Sequence, residues 1–363
     1  MKRKNMADRV EEGDESLYNH GVSWWRGRLI GKGGFGSVYL ANLKKPKSRN
    51  RMYPPVMAVK SAEVSVSSSL QKEKEVFNHL YGCPYILECY GEEITTNKDG
   101  EMIYNLLLEY ASGGTLADLI KKSGGHGLPE SDVKKYTRSV LQGIAYIHSH
   151  GYVHCDLKPG NVLLVSAKSA EFVPKIGDFG LAKKIEKSKR RKLFSYLGGT
   201  TSYMAPETVV DHIQEPPSDI WALGCIVFEM FTGKSVWDVK PNMTTEQLLK
   251  KIGDRYESPK IPSEISKDAI DFLKGCLVKK PAFRFTAEML LDHPFVSGLD
   301  NKLEKEWMDS VVTFSDVEDE SCDSSYYEDW RCISEEGSSS SSVDENGVLQ
   351  SAVSFNSQNQ QSK

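Results

Sequence analysis

A glycine-rich run between two segments of alternating apolar residues constrains the fold of this chain most strongly. The run reads GKGGFGSV over 31–38, and the apolar alternation extends from Trp24 to about Leu43. Alternation with a period of two is typical of half-buried strands, so we predict two strands joined by a tight loop. Because a strand follows the glycines, a dinucleotide-binding turn is excluded, and the missing GK-[ST] ending excludes a P-loop.

Strand patterns continue after the glycines and are interrupted by one helical pattern. A third strand is predicted at 56–60, and apolar residues at helical spacing predict a helix over 70–80. Two further strand-like runs follow at about 86–95 and 102–110, before two glycines at 113–114 break the pattern.

The following part of the chain has the period of helices. One apolar stripe predicts a long helix over 130–150. Shorter helices are predicted near 218–231, 244–252, 266–277 and 286–292. A small β-rich unit followed by a larger helical unit predicts the α+β class.

The net charge of −4 is unevenly distributed along the chain. Residues 301–363 contain 14 acidic and 4 basic residues, and 15 of these 63 residues are serine. This composition cannot bury enough apolar surface to offset the entropy of ordering. We therefore expect an acidic, mostly disordered tail at 297–363, a flexible leader at 1–23 and one domain at 24–296. Residues 1–23 carry a net charge of −1, so residues 24–300 carry +7, an excess too small to indicate binding of DNA or RNA.

Cysteine use and hydropathy predict an intracellular protein. The seven cysteines form no C-x-x-C pair, which favours a reducing compartment. No apolar segment follows the basic start, and the longest apolar run, 221–228, is too short to insert into a membrane. We expect cytoplasmic localisation. The basic run 183–192 is a solvated loop, a nuclear-import patch or a contact for an acidic partner or the acidic tail, so nuclear localisation is an alternative.

Two charged positions after the glycines suit phosphate chemistry. Lys60 ends the apolar segment MAVK, where a lysine is usually a surface charge. Near a phosphate chain it would instead hold the α- and β-phosphates and be fixed by an acid on the next helix. Glu73 is favoured for that acid, with Glu75 as the solvated alternative.

The segment HCDLKPGN, at 154–161, contains three further groups for the same chemistry. The Asp156 carboxylate can accept the proton of an attacking hydroxyl, and Lys158 can neutralise a transferring phosphoryl group. The amide oxygen of Asn161 can ligate Mg²⁺.

Two short motifs complete an ordered set. In DFG, at 178–180, Asp178 would bridge a metal to the β- and γ-phosphates, and APE follows at 205–207. With the glycine-rich run, Lys60 and HCDLKPGN, this set resembles the eukaryotic protein kinases over about 24–296.

The resemblance implies a bilobal protein kinase fold with ATP and Mg²⁺ in the cleft. It places the β-rich lobe at 24–110 and the helical lobe at 111–296. It implies catalytic roles for Asp156, Lys158, Lys60 and Glu73, and metal ligation by Asn161 and Asp178. The implied ATP-binding residues, with Leu108 as gatekeeper before the hinge, are Ile30, Gly31, Lys32, Gly33, Gly34, Phe35, Gly36, Ser37, Val38, Ala58, Lys60, Leu108, Glu109, Ala111 and Leu163.

The resemblance also indicates a subfamily. Lys158 and Thr200 are similar to their counterparts in the serine/threonine branch. The stretches WWRGRLIGKGGFGSVYLA, LLLEYASGGTLADLI and GGTTSYMAPE resemble plant mitogen-activated protein kinase kinase kinases of the MEKK-like type. This implies a protein substrate, a MAP kinase kinase, and leaves the upstream activator open. A pseudokinase or scaffold that acts through its tail is the alternative.

Three structural contacts are implied in addition. Asp219 would brace the backbone of the catalytic loop, and Arg284 would pair with Glu207. Thr200 would hydrogen-bond Asp156 and Lys158.

The catalytic loop departs from the family pattern at one position. Cys155 stands where most kinases have the Arg that pairs with a phosphorylated activation segment. Whether such pairing controls this chain is therefore open, and Ser195 and Thr201 are the candidate phosphosites.

Overall fold

The computed structural model describes residues 19–34, 36–44, 53–167, 171–185, 198–238, 240 and 242–298. Two candidate site residues, Phe35 and Ser195, lie outside the described residues. The predicted leader is described from residue 19 onward, the predicted tail up to residue 298, and the basic run up to residue 185.

The strands predicted in the amino-terminal part form one five-stranded antiparallel sheet in the order β1-β2-β3-β5-β4. A single helix, α1, lies between β3 and β4 in the chain and spans Ser68–His79. The strands are β1 Trp24–Gly33, β2 Gly36–Leu43, β3 Val56–Glu63, β4 Cys89–Thr96 and β5 Met102–Glu109.

The glycine-rich segment connects β1 and β2 over the sheet. Gly33 pairs with Gly36 at its end, and Gly36 has φ +134°, a conformation that other residues rarely adopt. A Cβ atom on Gly36 would lie 2.4 Å from the carbonyl oxygen of Ser61 in β3, so a larger residue does not fit. The glycine thus permits close approach of the loop backbone to β3.

Both faces of the sheet are covered. Side chains alternate between faces along a strand, so neighbouring residues of one strand contribute to different clusters. Ala58 in β3 and Leu108 in β5 belong to the main hydrophobic core. Their neighbours Met57 and Leu107 join a second, smaller cluster around the fully buried Trp24.

The carboxy-terminal part is mainly helical, as the period of the sequence predicted, and the α+β bilobal fold is confirmed. Among the described residues no helix is long and apolar enough to cross a bilayer. The helices are α2 Leu116–Lys122, α3 Glu130–Ser149, α4 Pro206–Asp211, α5 Pro216–Thr232, α6 Thr245–Gly253, α7 Lys267–Cys276 and α8 Ala287–Leu291.

Two short strand pairs carry the loops that approach the sheet. The strands are β6 Tyr152–Val153, paired with β9 Lys183–Lys184, and β7 Val162–Ser166, paired with β8 Phe172–Ile176. These strands, like α2 and α4, were not predicted. Each has only two to seven residues, so its pattern repeats few times, although the equally short α8 was predicted.

A buried ion pair joins α4 to the end of the helical part, as the resemblance implied. The Arg284 guanidinium donates two hydrogen bonds to the Glu207 carboxylate, at 2.7 and 3.1 Å, and lies 5.2 Å from the Trp221 ring centre. The Arg284 side chain has no exposed surface and the Glu207 side chain is 4% exposed. Such a pair is costly to break, because the remaining charge stays buried without a partner.

We therefore expect Arg284→Met to lower the free energy of unfolding by about 3–5 kcal/mol in urea denaturation. The control is Lys134→Met, which removes a partly exposed ion pair with Glu130, 3.2 Å long, and should cost less than about 1 kcal/mol. Similar losses in the two variants would contradict a structural role for the buried pair.

Candidate active site

A cleft of about 610 Å³ lies between the sheet and the helical part, and most of the candidate site residues line it. Among the described candidates, Ser37 lies in β2 and Asp156 in the loop after β6, both outside the lining of this cleft. The candidates that line it are Ile30, Gly31, Lys32, Gly33, Gly34, Gly36, Val38, Ala58, Lys60, Glu73, Leu108, Glu109, Ala111, Lys158, Asn161, Leu163 and Asp178.

The inner wall of the cleft is apolar and the hinge beside it is held to both parts of the molecule. Ala58 and Leu108 pair across β3 and β5. After Leu108, the Glu109 amide donates to the Glu88 carbonyl oxygen at 2.9 Å. The Glu109 carboxylate accepts from Lys175 Nζ of β8 at 2.8 Å. A flat apolar ring would be enclosed here, next to the backbone polar groups of the hinge.

A buried ion pair crosses from the sheet to α1. Lys60 Nζ lies 2.7 Å from Glu73 Oε2 and 2.8 Å from Asp178 Oδ1. Glu73 has no exposed surface, whereas Glu75 points to solvent. The structure thus selects Glu73 over Glu75 as the partner of Lys60.

The ion pairs of this cluster favour the charged forms of Lys60 and Asp178, whereas burial, which outweighs Lys60, raises the pKa of Glu73. Burial alone would lower the pKa of Lys60, but Glu73 and Asp178 outweigh it and raise that pKa. Burial opposes ionisation of Asp178, yet Lys60 holds the pKa of that carboxyl below its usual value. Lys60 is therefore a cation and Asp178 an anion at neutral pH.

The DFG segment packs against α1 and is hydrogen-bonded to it. Phe179 is fully buried, and its ring meets that of Phe77 edge to face at a centroid distance of 5.0 Å. The Phe179 amide donates to Glu73 Oε1 at 3.3 Å. Asp178 adopts φ +62°, which is unusual for a non-glycine residue and turns the chain so that its carboxylate reaches the cleft.

Asp156 is fixed by Thr200 of the activation segment. Its Oδ1 accepts from the Thr200 amide at 2.7 Å and from the Thr200 hydroxyl at 2.8 Å. Its Oδ2 accepts from Lys158 Nζ at 2.6 Å, and Lys158 also donates to the Thr200 hydroxyl at 2.9 Å. The expected contacts of Thr200 are therefore present. Thr201 begins a short 3₁₀ turn, Thr201–Tyr203, and stays a predicted phosphosite.

Asn161 and Asp178 offer oxygen atoms to the same cleft. The Asn161 side-chain nitrogen donates to the Asp156 carbonyl oxygen at 2.9 Å, so its amide oxygen is the atom available for a cation. Asp178 uses Oδ1 for Lys60, which leaves Oδ2. Amide and carboxylate oxygens are the ligands that Mg²⁺ prefers, and these residues therefore fit a magnesium ion that also contacts phosphate.

A second carboxylate, that of Asp219, accepts hydrogen bonds from the backbone of the catalytic loop. Asp219, at the start of α5, accepts from the backbone amides of His154 at 2.8 Å and Cys155 at 3.1 Å, and contacts His148 Nε2 at 2.9 Å. Cys155 has φ +68°, a strained conformation that these two hydrogen bonds stabilise. Asp219 thus braces the loop, as the resemblance implied.

Cys155 contributes no charge to the catalytic loop. Burial, with a smaller contribution from Asp219, raises the pKa of its thiol, which is therefore protonated at neutral pH. The thiol lies 3.5 Å from the Val153 carbonyl oxygen and donates to it. The position that holds a cation in most kinases is neutral here.

Sequence reasoning missed several residues of the cleft because they carry no motif. Thr115 caps α2 and exchanges hydrogen bonds with Asp118, and these bonds from Thr115 lower the pKa of the Asp118 carboxyl. The T-x-x-D spacing after the two glycines is the signal that predicts such a helix start. The missed residues are Arg28, Leu87, Ser112, Gly114, Thr115, Asp118 and Gly177.

Comparison with known proteins gives consistent matches over the same part of the chain. The family model of the protein kinase domain matches residues 24–296. Mitogen-activated protein kinase kinase kinase 20 of Arabidopsis thaliana is 47% identical over 76% of this chain and 79% of its own length. Mitogen-activated protein kinase kinase kinase 17 of the same plant is 38% identical over 76% of this chain and 70% of its own length. Mitogen-activated protein kinase kinase kinase A of Dictyostelium discoideum is 31% identical to this chain. That match covers 84% of this chain and 31% of the relative's own length.

The bracing role of Asp219 predicts a local change in hydrogen exchange. In Asp219→Asn, one carboxylate oxygen becomes an amide NH₂ group that cannot accept a hydrogen bond. One of the two amides, that of His154 or that of Cys155, therefore loses its acceptor and should exchange faster. Mass spectrometry of peptides covering 152–157 and 267–276 measures the effect. Exchange should rise in the first peptide only, and the exposed substitution Asp99→Asn should change neither. Unchanged exchange at 152–157 in Asp219→Asn would contradict the bracing role.

Proposed function

The chain belongs to the protein kinase family and is a serine/threonine protein kinase, and we propose that it acts with ATP and Mg²⁺ as a mitogen-activated protein kinase kinase kinase. One observation carries the catalytic part of this proposal. The contacts among Lys60, Glu73 and Asp178 and those around Asp156 exist at the same time, so the site is assembled for phosphoryl transfer.

Lys60 and the glycine-rich segment would bind the phosphates of ATP. Lys60 is a cation whose position is fixed by two carboxylates, so it holds the α- and β-phosphates without a rearrangement. The backbone amides of the glycine segment lie above the same cleft, and the apolar wall at Ala58 and Leu108 would enclose the adenine. Bound Mg²⁺, held by Asn161 and Asp178, supplies neutralisation of phosphate charge.

Asp156 and Lys158 would act on the group that is transferred. Asp156 orients the serine or threonine hydroxyl of the protein substrate for in-line attack and accepts its proton. Lys158, 2.6 Å from Asp156, neutralises charge that develops on the transferring phosphoryl group. Thr200 fixes the relative positions of both side chains, because its hydroxyl donates a hydrogen bond to Asp156 and accepts one from Lys158.

The substrate class is supported by the relatives. Three proteins named mitogen-activated protein kinase kinase kinase, from two organisms, match more than three quarters of this chain. We therefore propose a MAP kinase kinase as the protein substrate. The presence of every reactive group, in two hydrogen-bonded clusters, disfavours the pseudokinase alternative.

We expect Asp156→Asn to lower kcat by ~10²–10⁴-fold, because the proton acceptor is lost. Lys60→Met should lower kcat/KM by at least ~10²-fold, because a preorganised cation is lost. Phosphate transfer to the protein substrate measures both, and far-ultraviolet circular dichroism checks the fold. Retained transfer in either variant would overturn the assignment.

The ion pair of Glu73 predicts a difference between two neighbouring glutamates. Glu73→Gln should lower kcat/KM by ~10–100-fold, since hydrogen bonds to a charged group contribute ~1.5–3 kcal/mol. Glu75→Gln is the matched control on the same helix and should leave kcat/KM unchanged, because Glu75 is exposed. Equal losses in the two variants would show that Glu73 does not position Lys60.

The proposed substrate class is tested with catalytically inactive MAP kinase kinases. The purified chain should transfer the γ-phosphate of ATP to serine or threonine in at least one of them, and more than ~10-fold faster than to casein. The inactive substrates ensure that every transferred phosphate comes from this chain. Transfer to casein at an equal rate would contradict the substrate class and leave the serine/threonine kinase activity in place.

A further inference from the structure

The Arg26 side chain is the centre of a polar network on the sheet face that also carries the Trp24 cluster. Its guanidinium donates to Ser61 Oγ at 2.8 Å, to Asn105 Oδ1 at 2.6 Å, and to Asn19 Oδ1 and the Asn19 carbonyl oxygen at 3.1 and 2.9 Å. Burial lowers the pKa of Arg26 to about 10, so the group is still charged at neutral pH. All four acceptors are neutral oxygens, which makes the network a structural hub and not an ion pair.

This network connects all five strands of the sheet. Arg26 lies in β1 and its guanidinium is 4.5 Å from the centre of the Tyr39 ring in β2. Ser61 belongs to β3 and Asn105 to β5. The Asn105 side-chain nitrogen then donates to the Thr95 hydroxyl in β4 at 2.9 Å.

The residues before β1 complete the network. The Asn19 amide donates to the Thr96 carbonyl oxygen of β4 at 3.1 Å, and the Thr95 hydroxyl donates to Asn19 Oδ1 at 2.7 Å. The Val22 amide donates to Glu93 Oε1 at 2.6 Å. The segment 19–23 is therefore hydrogen-bonded to the edge strand β4, on the opposite side of the sheet from β1 in the strand order.

Ser61 links this network to the nucleotide cleft. It follows Lys60 in β3, and its carbonyl oxygen is the atom against which the Gly36 backbone packs. Ser61 also pairs with Ser37, the first residue after Gly36 in β2. The position of the glycine-rich segment above the cleft therefore depends on where β1 and β2 lie relative to Ser61.

Arg26 occupies the last regular position of β1 before that segment. It pairs with Ala41, and the pairing of β1 with β2 then shifts between Arg26 and Leu29 and again between Leu29 and Gly31. Such irregularities bend a strand and redirect the residues beyond the bend. The regular pairing that begins at Trp24 is interrupted after Arg26 and resumes at Gly31, so the direction of the glycine segment depends on how β1 is held at Arg26.

We propose that Arg26, held by Asn19 of the preceding segment, is a positioning residue that fixes the glycine-rich segment over the ATP phosphates through Ser61. The inference rests on the proposed use of ATP. It assigns a function in nucleotide binding to residues that do not line the cleft.

The test compares substitutions that remove the network with a matched control in the full-length chain. Arg26→Met keeps the aliphatic stem and removes the donors, and it should raise KM for ATP by ~3–10-fold with kcat changed less than about twofold. KM for the protein substrate should not change. Arg26→Lys should restore part of the ATP affinity. The control is Arg255→Met, an exposed residue in the helical part.

A raised KM for ATP with a nearly unchanged kcat distinguishes a positioning role from a role in stability alone. A role confined to stability would reduce the folded fraction and so kcat, and leave KM for ATP unchanged. If Arg26→Met does not fold, Asn19→Gly removes the Asn19 Oδ1 acceptor, and with it one hydrogen bond from Arg26 and one from Thr95. Glycine accepts the left-handed conformation at this position, φ +67°, and the variant should raise KM for ATP in the same direction by a smaller factor.

Titration with a fluorescent ATP analogue measures the same quantity without phosphoryl transfer. The dissociation constant should rise by the same factor in Arg26→Met, and Ser61→Ala should weaken binding in the wild-type background but not in the Arg26→Met background. Unchanged nucleotide affinity in Arg26→Met and Asn19→Gly, or additive effects of Arg26→Met and Ser61→Ala, would overturn the proposal. A wild-type chain that binds the analogue but transfers no phosphate would refute the proposed function alone.

Discussion

The active arrangement of this kinase depends on one buried carboxylate. Glu73 has no exposed surface, and its two oxygens bond Lys60 of β3 and the backbone of Phe179 in the DFG segment. A buried charge is tolerated only where it is paired and hydrogen-bonded. Glu73 therefore couples the positions of the sheet, α1 and the DFG segment. The catalytic loop depends in the same way on Asp219, at the start of α5.

The sequence predicted those strands and helices whose apolar residues repeat several times at the spacing of that element. Alternation around the glycines gave β1 and β2, and the long apolar stripe gave α3, because each contains several periods. Glu73 was favoured over Glu75, and the structure places it on the buried face of α1 with Leu70, Val76 and Phe77. The contacts of Thr200 and of Arg284 followed from family resemblance, and the structure has them.

Other features were invisible to the sequence for physical reasons. Arg26 looks like any charged strand residue, and its partners Ser61 and Asn105 are 35 and 79 residues away. The left-handed backbone of Cys155 and Asp178 has no signal in residue type, since glycine is the residue that such a conformation favours. Both residues are held by tertiary contacts that supply what local preference does not. Sequence thus locates the reactive groups, and distant hydrogen bonds determine how they are held.

The hydrocarbon wall at Leu108 has a consequence for the design of selective inhibitors. Leu108 is 5% exposed and pairs with Ala58 across the sheet, so a compound that occupies the proposed adenine position would meet a branched aliphatic group at its inner end. This residue offers no side-chain hydroxyl to a polar substituent, and its bulk limits access to the space behind it. Selectivity for this enzyme would therefore have to come from shape at the inner wall and from polar contacts at the outer rim, where Asp118 and Arg28 lie.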